Sequence, residues 1–186
     1  MTDVPCKYLD WDEPIEEITT QLQMFVKKTG FVTKGTFFNP VDIEDVYEAI
    51  PNLRYLFKKH NLMDCYSLAI IRALPISIAP NFPHTDIMPE PYQKVAINWP
   101  VYNCEDTYTT FYEKKEGATP EVIKLPNGLP YSRYSFDDVV ETHRIKLNEP
   151  VALRFDILHA VINETDKVRV TASFRFRTNH WELFEN

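Results

Sequence analysis

The chain has 186 residues, 44% of them hydrophobic and 25% charged, with a formal net charge of −7. That length fits a single domain able to bury its own core without staples, and no apolar run approaches the length that crosses a bilayer, so no membrane association is expected. The acidic balance removes the phosphate-neutralising attraction that nucleic-acid binding needs, so no nucleic-acid partner is expected either.

The N-terminus MTDVPCKYLDWDEP has no basic-then-apolar signal region, which makes the cytoplasm the expected location. Residues 1–62 read as mostly helical. Asp12-Glu13-Pro14 opens an amphipathic helix through Ile15, Ile18, Leu22, Phe25 and Val26, closed by Gly30. Asn39-Pro40 repeats the start signal for a shorter helix through Val41, Val46, Tyr47 and Ile50, and a third piece runs from Asn52 to His60. From Met63 the texture is β-rich: Tyr66 to Leu74, Ile76-Ser77-Ile78, Lys94 to Tyr102, Tyr108 to Tyr112, Val122 to Leu125, His143 to Leu147, Val151 to Phe155, His159 to Asn163 and Val168 to Arg177. Short strands at close spacing, punctuated by turn residues, predict a sandwich or barrel. Residues 113–136, rich in Gly, Pro, Tyr and charge, read as a long loop insertion in a core spanning 63–178. No linker divides the chain, so 1–186 is expected to form one domain. Cys6, Cys65 and Cys104 form no CxxC pair, which argues against a disulfide framework.

The last long strand has two distinct faces. Arg169, Thr171, Ser173 and Arg175 share one parity; Val170, Ala172, Phe174 and Phe176 share the other. An arginine with a hydroxyl two residues further on can present a cation and a donor to one small anion. Upstream, Phe82-Pro83-His84-Thr85-Asp86 places an imidazole and a carboxylate two residues apart, on one side of an extended segment. His159 is the obvious third ligand. Two histidines and one carboxylate leave the opposite coordination positions open, as in non-haem Fe(II) oxygenases. The HxD pair alone is a weak signal, and His180-Trp181-Glu182 offers a competing HxE. No histidine follows that competitor, whereas His84-Thr85-Asp86 is followed by His159 and then by Arg169 and Thr171. Asn98, Thr110, Tyr112 and Arg72 are further polar candidates for a shared cavity, or for satisfying backbone groups inside a β sandwich. His60, His143 and His180 read as bystanders.

With these residues in view, the stretch from 65 to 177 resembles the 2-oxoglutarate/Fe(II)-dependent dioxygenases, and INWPVYNCEDTYTTFYE with EPVALRFDILHAVINETDKVRVTASFRF is similar to their prolyl-4-hydroxylase-like branch. The resemblance implies a mainly β double-stranded β-helix (jelly roll) with N-terminal helices packed on one sheet. It implies Fe(II) held by His84, Asp86 and His159, and 2-oxoglutarate as cosubstrate. Arg169 would bind the distal carboxylate, with Thr171 adding a hydroxyl and Asn98, Thr110 and Tyr112 as further contacts. The reaction implied uses dioxygen to hydroxylate a C–H bond, of a prolyl or other peptidyl side chain or of a small molecule, while 2-oxoglutarate becomes succinate. Asp86 favours hydroxylation or a related oxidation over halogenation, since halogenating relatives lack that carboxylate. Pro89, Pro91 and Tyr92, with Tyr131 and Tyr134, are candidates for the substrate pocket. Two other readings stay open: a cupin-like metalloenzyme catalysing hydrolysis or isomerisation, and a non-enzymatic jelly-roll binding module.

Overall fold

A computed structural model of the chain describes residues 5–9, 11–31, 38–86, 94–124 and 130–184. Helix α1 (Ile15–Thr29) begins after Pro14, with Glu16 and Glu17 in its first turn and Lys27 and Lys28 in its last. These charges oppose the helix dipole at each end. Gly30 ends it at φ 75°, donating its N–H to the Lys27 carbonyl, a left-handed cap that only glycine adopts at little cost. Helices α2 (Ile43–Ala49) and α3 (Pro51–Lys59) follow.

The Asn39-Pro40 start signal is a correction. Those residues lie in a strand, β2 (Phe38–Asp42), and Asp42 is the helix cap, accepting the Glu44 N–H at 2.9 Å. Strand β2 is the outermost of its sheet, where proline's missing N–H costs no ladder bond.

The large sheet runs in the order β1 (Cys6–Tyr8), β9 (Val151–Arg154), β4 (Val95–Tyr102), β11 (Arg169–Phe176), β3 (Cys65–Ala73), β2, every neighbour antiparallel. Facing it is a smaller sheet of β10 (His159–Asn163), β5 (Thr107–Lys114) and β8 (Val139–Lys146). Two antiparallel sheets with helices behind the larger one form the expected jelly roll. Ile76-Ser77-Ile78 is not a strand; the Ile78 and Ala79 N–H groups turn back onto the Pro75 carbonyl.

The helices cover the outer face of the large sheet. Val170, Ala172, Phe174 and Phe176 of β11 join Ile97 and Trp99 of β4 in one buried cluster with Leu22, Val26, Leu53 and Phe57. The Phe57 ring meets Phe174 edge-on at 5.1 Å. Helix α1 is also tied down by polar contacts: Trp99 Nε1 donates to Thr19 Oγ1 at 2.8 Å, and Gln23 Nε2 to the Val101 carbonyl at 2.8 Å. With its apolar row spent on the helices, β11 must turn its polar row inward, between the sheets.

Residues 113–136 are not a plain loop. Strand β5 continues to Lys114, and β6 (Glu121–Lys124) pairs with β7 (Pro130–Arg133) in a separate hairpin. Among the described residues, no helix is long and apolar enough to cross a membrane.

The C-terminal segment is fastened by Asp64, whose carboxylate accepts the Thr178 N–H at 2.6 Å and a bond from His180. Burial alone would raise this carboxyl's pKa; the bonds from His180 and Thr178 outweigh it and hold the group below its ordinary value. A carboxyl lowered in the folded state stabilises fully above its unfolded pKa and loses that contribution as pH falls through the lowered one. Asp64→Asn should therefore cost about 1–2 kcal/mol at pH 7 by urea denaturation, with the gap closing below about pH 3. Equal stability at pH 7 would contradict this account.

Candidate active site

The polar row of β11 faces the small sheet across a cavity of about 290 Å³, lined by His84, Asp86, Asn98, Thr109, Phe155, His159, Arg169, Thr171 and Arg175 among others. That volume is at the low end of small-molecule sites.

The two halves of the site meet through backbone. His84 and His159 exchange N–H···O bonds at 2.9 and 2.8 Å, a single antiparallel bridge. Asn81 Oδ1 accepts the Val161 N–H at 2.7 Å, and the Asp86 N–H reaches the Phe155 carbonyl at 3.1 Å. The segment before Asp86 thus runs as an extra strand beside the start of β10. Period-two alternation then turns His84 and Asp86 to one side.

The ligand atoms of His84, Asp86 and His159 lie within 4.8 Å of one another. Each imidazole is oriented by its other nitrogen: His84 Nδ1 lies 2.7 Å from the Phe82 carbonyl and His159 Nδ1 2.9 Å from that of Ile157. A carbonyl only accepts, so both Nδ1 atoms carry a proton and Nε2 is the nitrogen each ring has to offer a metal. Burial, reinforced by the neighbouring His84, pushes the His159 pKa down to about 4, which keeps this ring neutral at physiological pH. Burial would raise the Asp86 carboxyl; the Arg175 guanidinium outweighs it, and the carboxyl titrates below its ordinary value. Two imidazoles, each held by its Nδ1, and one ionised carboxylate fit a divalent transition metal.

Arg169 is 1% exposed. It donates to the Tyr108 carbonyl at 3.2 Å and to Thr109 Oγ1 at 3.4 Å, both long and both to neutral acceptors. No carboxylate among the described residues pairs with it. Burial works against its charge and lowers its pKa, so an anion entering the cavity would meet a poorly compensated cation. Thr171 is buried beside it, and Asn98 faces the same cavity with its Oδ1 buried and without a partner among the described residues.

Thr110 and Tyr112 are placed elsewhere. Phe111 packs inward with Phe155 and Leu153, which sets the parity of β5. Thr109 therefore faces the cavity, and Tyr112 joins Val139, Ala160 and Ile162 on the opposite face of the small sheet. Hydroxyls occur on both faces of Thr107–Tyr112, so polarity alone could not choose between them. Arg72 lines the end of the cavity. Tyr131 of the hairpin stacks near the His84 ring at 5.0 Å, and the Tyr134 N–H donates to the Pro83 carbonyl at 2.8 Å. Pro89, Pro91 and Tyr92 lie outside the described residues. His180 is held by Asp64 and His60 by Glu13, away from the cavity.

No protein-family model matches the chain, and no curated protein matches it by sequence. Solved structures do. The epimerase SnoN, in complex with Fe3+, alpha ketoglutarate and nogalamycin RO, superposes with a TM-score of 0.54 at 12% identity, over 97% of this chain and 84% of that one. A prolyl-4-hydroxylase from Pseudomonas putida gives 0.50 at 10% identity, over 94% and 93%. HygX from Streptomyces hygroscopicus, with nickel and 2-oxoglutarate bound, gives 0.51 at 8% identity, over 92% and 82%. The chain therefore has the jelly-roll fold of the non-haem 2-oxoglutarate-dependent enzymes.

The donor set predicts one divalent ion per chain in calorimetric titration with Mn(II) or Co(II). His159→Ala should weaken binding by roughly 100-fold or more, beyond the range typical of a merely supporting residue. Binding of comparable strength in the variant would show that the cluster is not the site.

Proposed function

We propose that the protein is an Fe(II)- and 2-oxoglutarate-dependent oxygenase in which His84, Asp86 and His159 hold the metal. The observation that carries this reading is one cavity containing both a two-histidine, one-carboxylate cluster and a buried arginine without a carboxylate partner among the described residues. A ligand with a metal-chelating end and a distant carboxylate satisfies both. 2-Oxoglutarate is such a molecule, and structural neighbours have been solved with it bound.

In this reading Arg169 pairs with the distal carboxylate, a charge-assisted contact worth about 1.5–3 kcal/mol. Thr171 and Asn98 line the path between. Bound at the triad, Fe(II) would supply open coordination positions and the redox chemistry that couples decarboxylation to oxidation of a C–H bond. The balance is 2-oxoglutarate, dioxygen and R–H in, succinate, carbon dioxide and R–OH out. The chain's own residues bind, orient and shield; none is required as an acid or base.

We place the reaction as a hydroxylation, of a prolyl or other peptidyl side chain. The support is the Pseudomonas putida neighbour, which this chain matches along nearly its full length. The hairpin carrying Tyr131, packed against the metal segment, is the element that would face such a substrate. We take 1–186 as one oxygenase domain. The buried, unpaired Cys6, Cys65 and Cys104 accord with a reducing, cytoplasmic setting.

Succinate formation from 2-oxoglutarate with Fe(II) and ascorbate tests the reading. Asp86→Ala should abolish it, and Arg169→Leu should raise the 2-oxoglutarate KM by roughly 10- to 100-fold, the equivalent of the lost charged hydrogen bond. Undiminished succinate production by Asp86→Ala would sink the assignment.

A further inference from the structure

Arg175 ends the polar row of β11, and beyond its charge beside Asp86 it has been given no role above. It is 5% exposed. Its guanidinium carbon sits 4.1 Å from the centre of the Phe155 ring, which fixes the plane of the group. One N–H, on NH2, reaches Asp86 Oδ2 at 3.2 Å. The other carboxylate oxygen, Oδ1, is turned towards His84 Nε2 at 3.6 Å. The two oxygens of one carboxylate thus have separate assignments.

This is not the usual pairing. An arginine and a carboxylate commonly meet fork to fork, with both oxygens engaged. Here Nε and NH1 of Arg175 are buried with no partner among the described residues, so two strong donors go unused to keep a single end-on contact. A side chain serving only the core would be better apolar at this position. The ladder also departs from regularity here. Arg175 pairs with Ser67 but Phe176 with Cys65, leaving Tyr66 as an extra residue on β3. Such bulges re-aim side chains.

We propose that Arg175 is a positioning residue that holds Asp86 by its outer oxygen and thereby limits the carboxylate to one oxygen on the metal. The proposal rests on the triad being a metal centre. Its consequence is stoichiometric. A carboxylate free to rotate can occupy two coordination positions, and a chelating cosubstrate needs two of its own. By restricting Asp86, Arg175 keeps those positions open. Lysine is a poorer substitute, because a flexible ammonium cannot lie flat on Phe155 or direct one N–H at one oxygen.

The test is made on the metal-substituted protein and does not depend on turnover. Wild type, Arg175→Met and Arg175→Lys are loaded with Co(II), the visible d–d spectrum is recorded, and the Kd for 2-oxoglutarate is then measured on the Mn(II)-loaded forms. Arg175→Met is expected to bind one metal ion per chain, with a changed Co(II) spectrum and a 2-oxoglutarate Kd raised at least tenfold. Arg175→Lys should fall between, with a Kd raised at least threefold, and decides the matter alone if the methionine variant does not fold. A folded variant in which either the spectrum or the Kd matches wild type overturns the proposal. A wild type that binds no metal overturns instead the metal-centre reading beneath it.

Discussion

Two backbone hydrogen bonds between His84 and His159 are the contact on which the site depends. They join two segments far apart in sequence. Once that bridge forms, the rest follows from strand geometry. Alternation turns His84 and Asp86 inward, the neighbouring carbonyls of Phe82 and Ile157 take the Nδ1 protons, and both Nε2 atoms face the carboxylate. The imidazoles need no charged partner to be oriented. This suits a place where burial already keeps His159 neutral.

The cavity wall opposite the bridge is set by the division of labour along β11. Its apolar row is committed to α1 and α3 through Phe174, Phe176 and Val170, so its polar row cannot rotate away from the cavity. A one-residue slip would bury four polar side chains against the helices and expose the aromatic row to the cavity. The same packing that stabilises the domain thus fixes where its two buried arginines point. Arg169 stands at one end with only neutral acceptors, and Arg175 at the other beside Asp86. The cavity is cationic inside an acidic protein, a setting that favours a dianionic ligand.

Much of this was legible in residue order. His84, Asp86, His159 and Arg169 stood out because charged and metal-ligating side chains on interior parity need a reason to be there. The helices were legible from periodicity and from Gly30. What failed did so for local reasons. Asn39-Pro40 signals a helix start equally well from an edge strand that never needed the proline N–H. On β5, hydroxyls alternate onto both faces, and only the inward packing of Phe111 shows that Thr109, rather than Thr110 and Tyr112, meets the cavity. The hairpin of β6 and β7 was hidden by its Gly- and Pro-rich composition. Arg175 was visible in the polar row, but its contact with Asp86 spans 89 positions and leaves no local trace.

The central claim is that one cavity joins a two-histidine, one-carboxylate metal centre to an arginine-anchored cosubstrate. Adding 2-oxoglutarate to the Fe(II)-loaded protein without oxygen tests both at once, through visible absorption. The account predicts a weak metal-to-ligand charge-transfer band that is absent with either component alone, absent in His84→Ala, and requires more 2-oxoglutarate to saturate in Arg169→Leu. No band in the wild type at saturating Fe(II) and 2-oxoglutarate, or an undiminished band in His84→Ala, would contradict it.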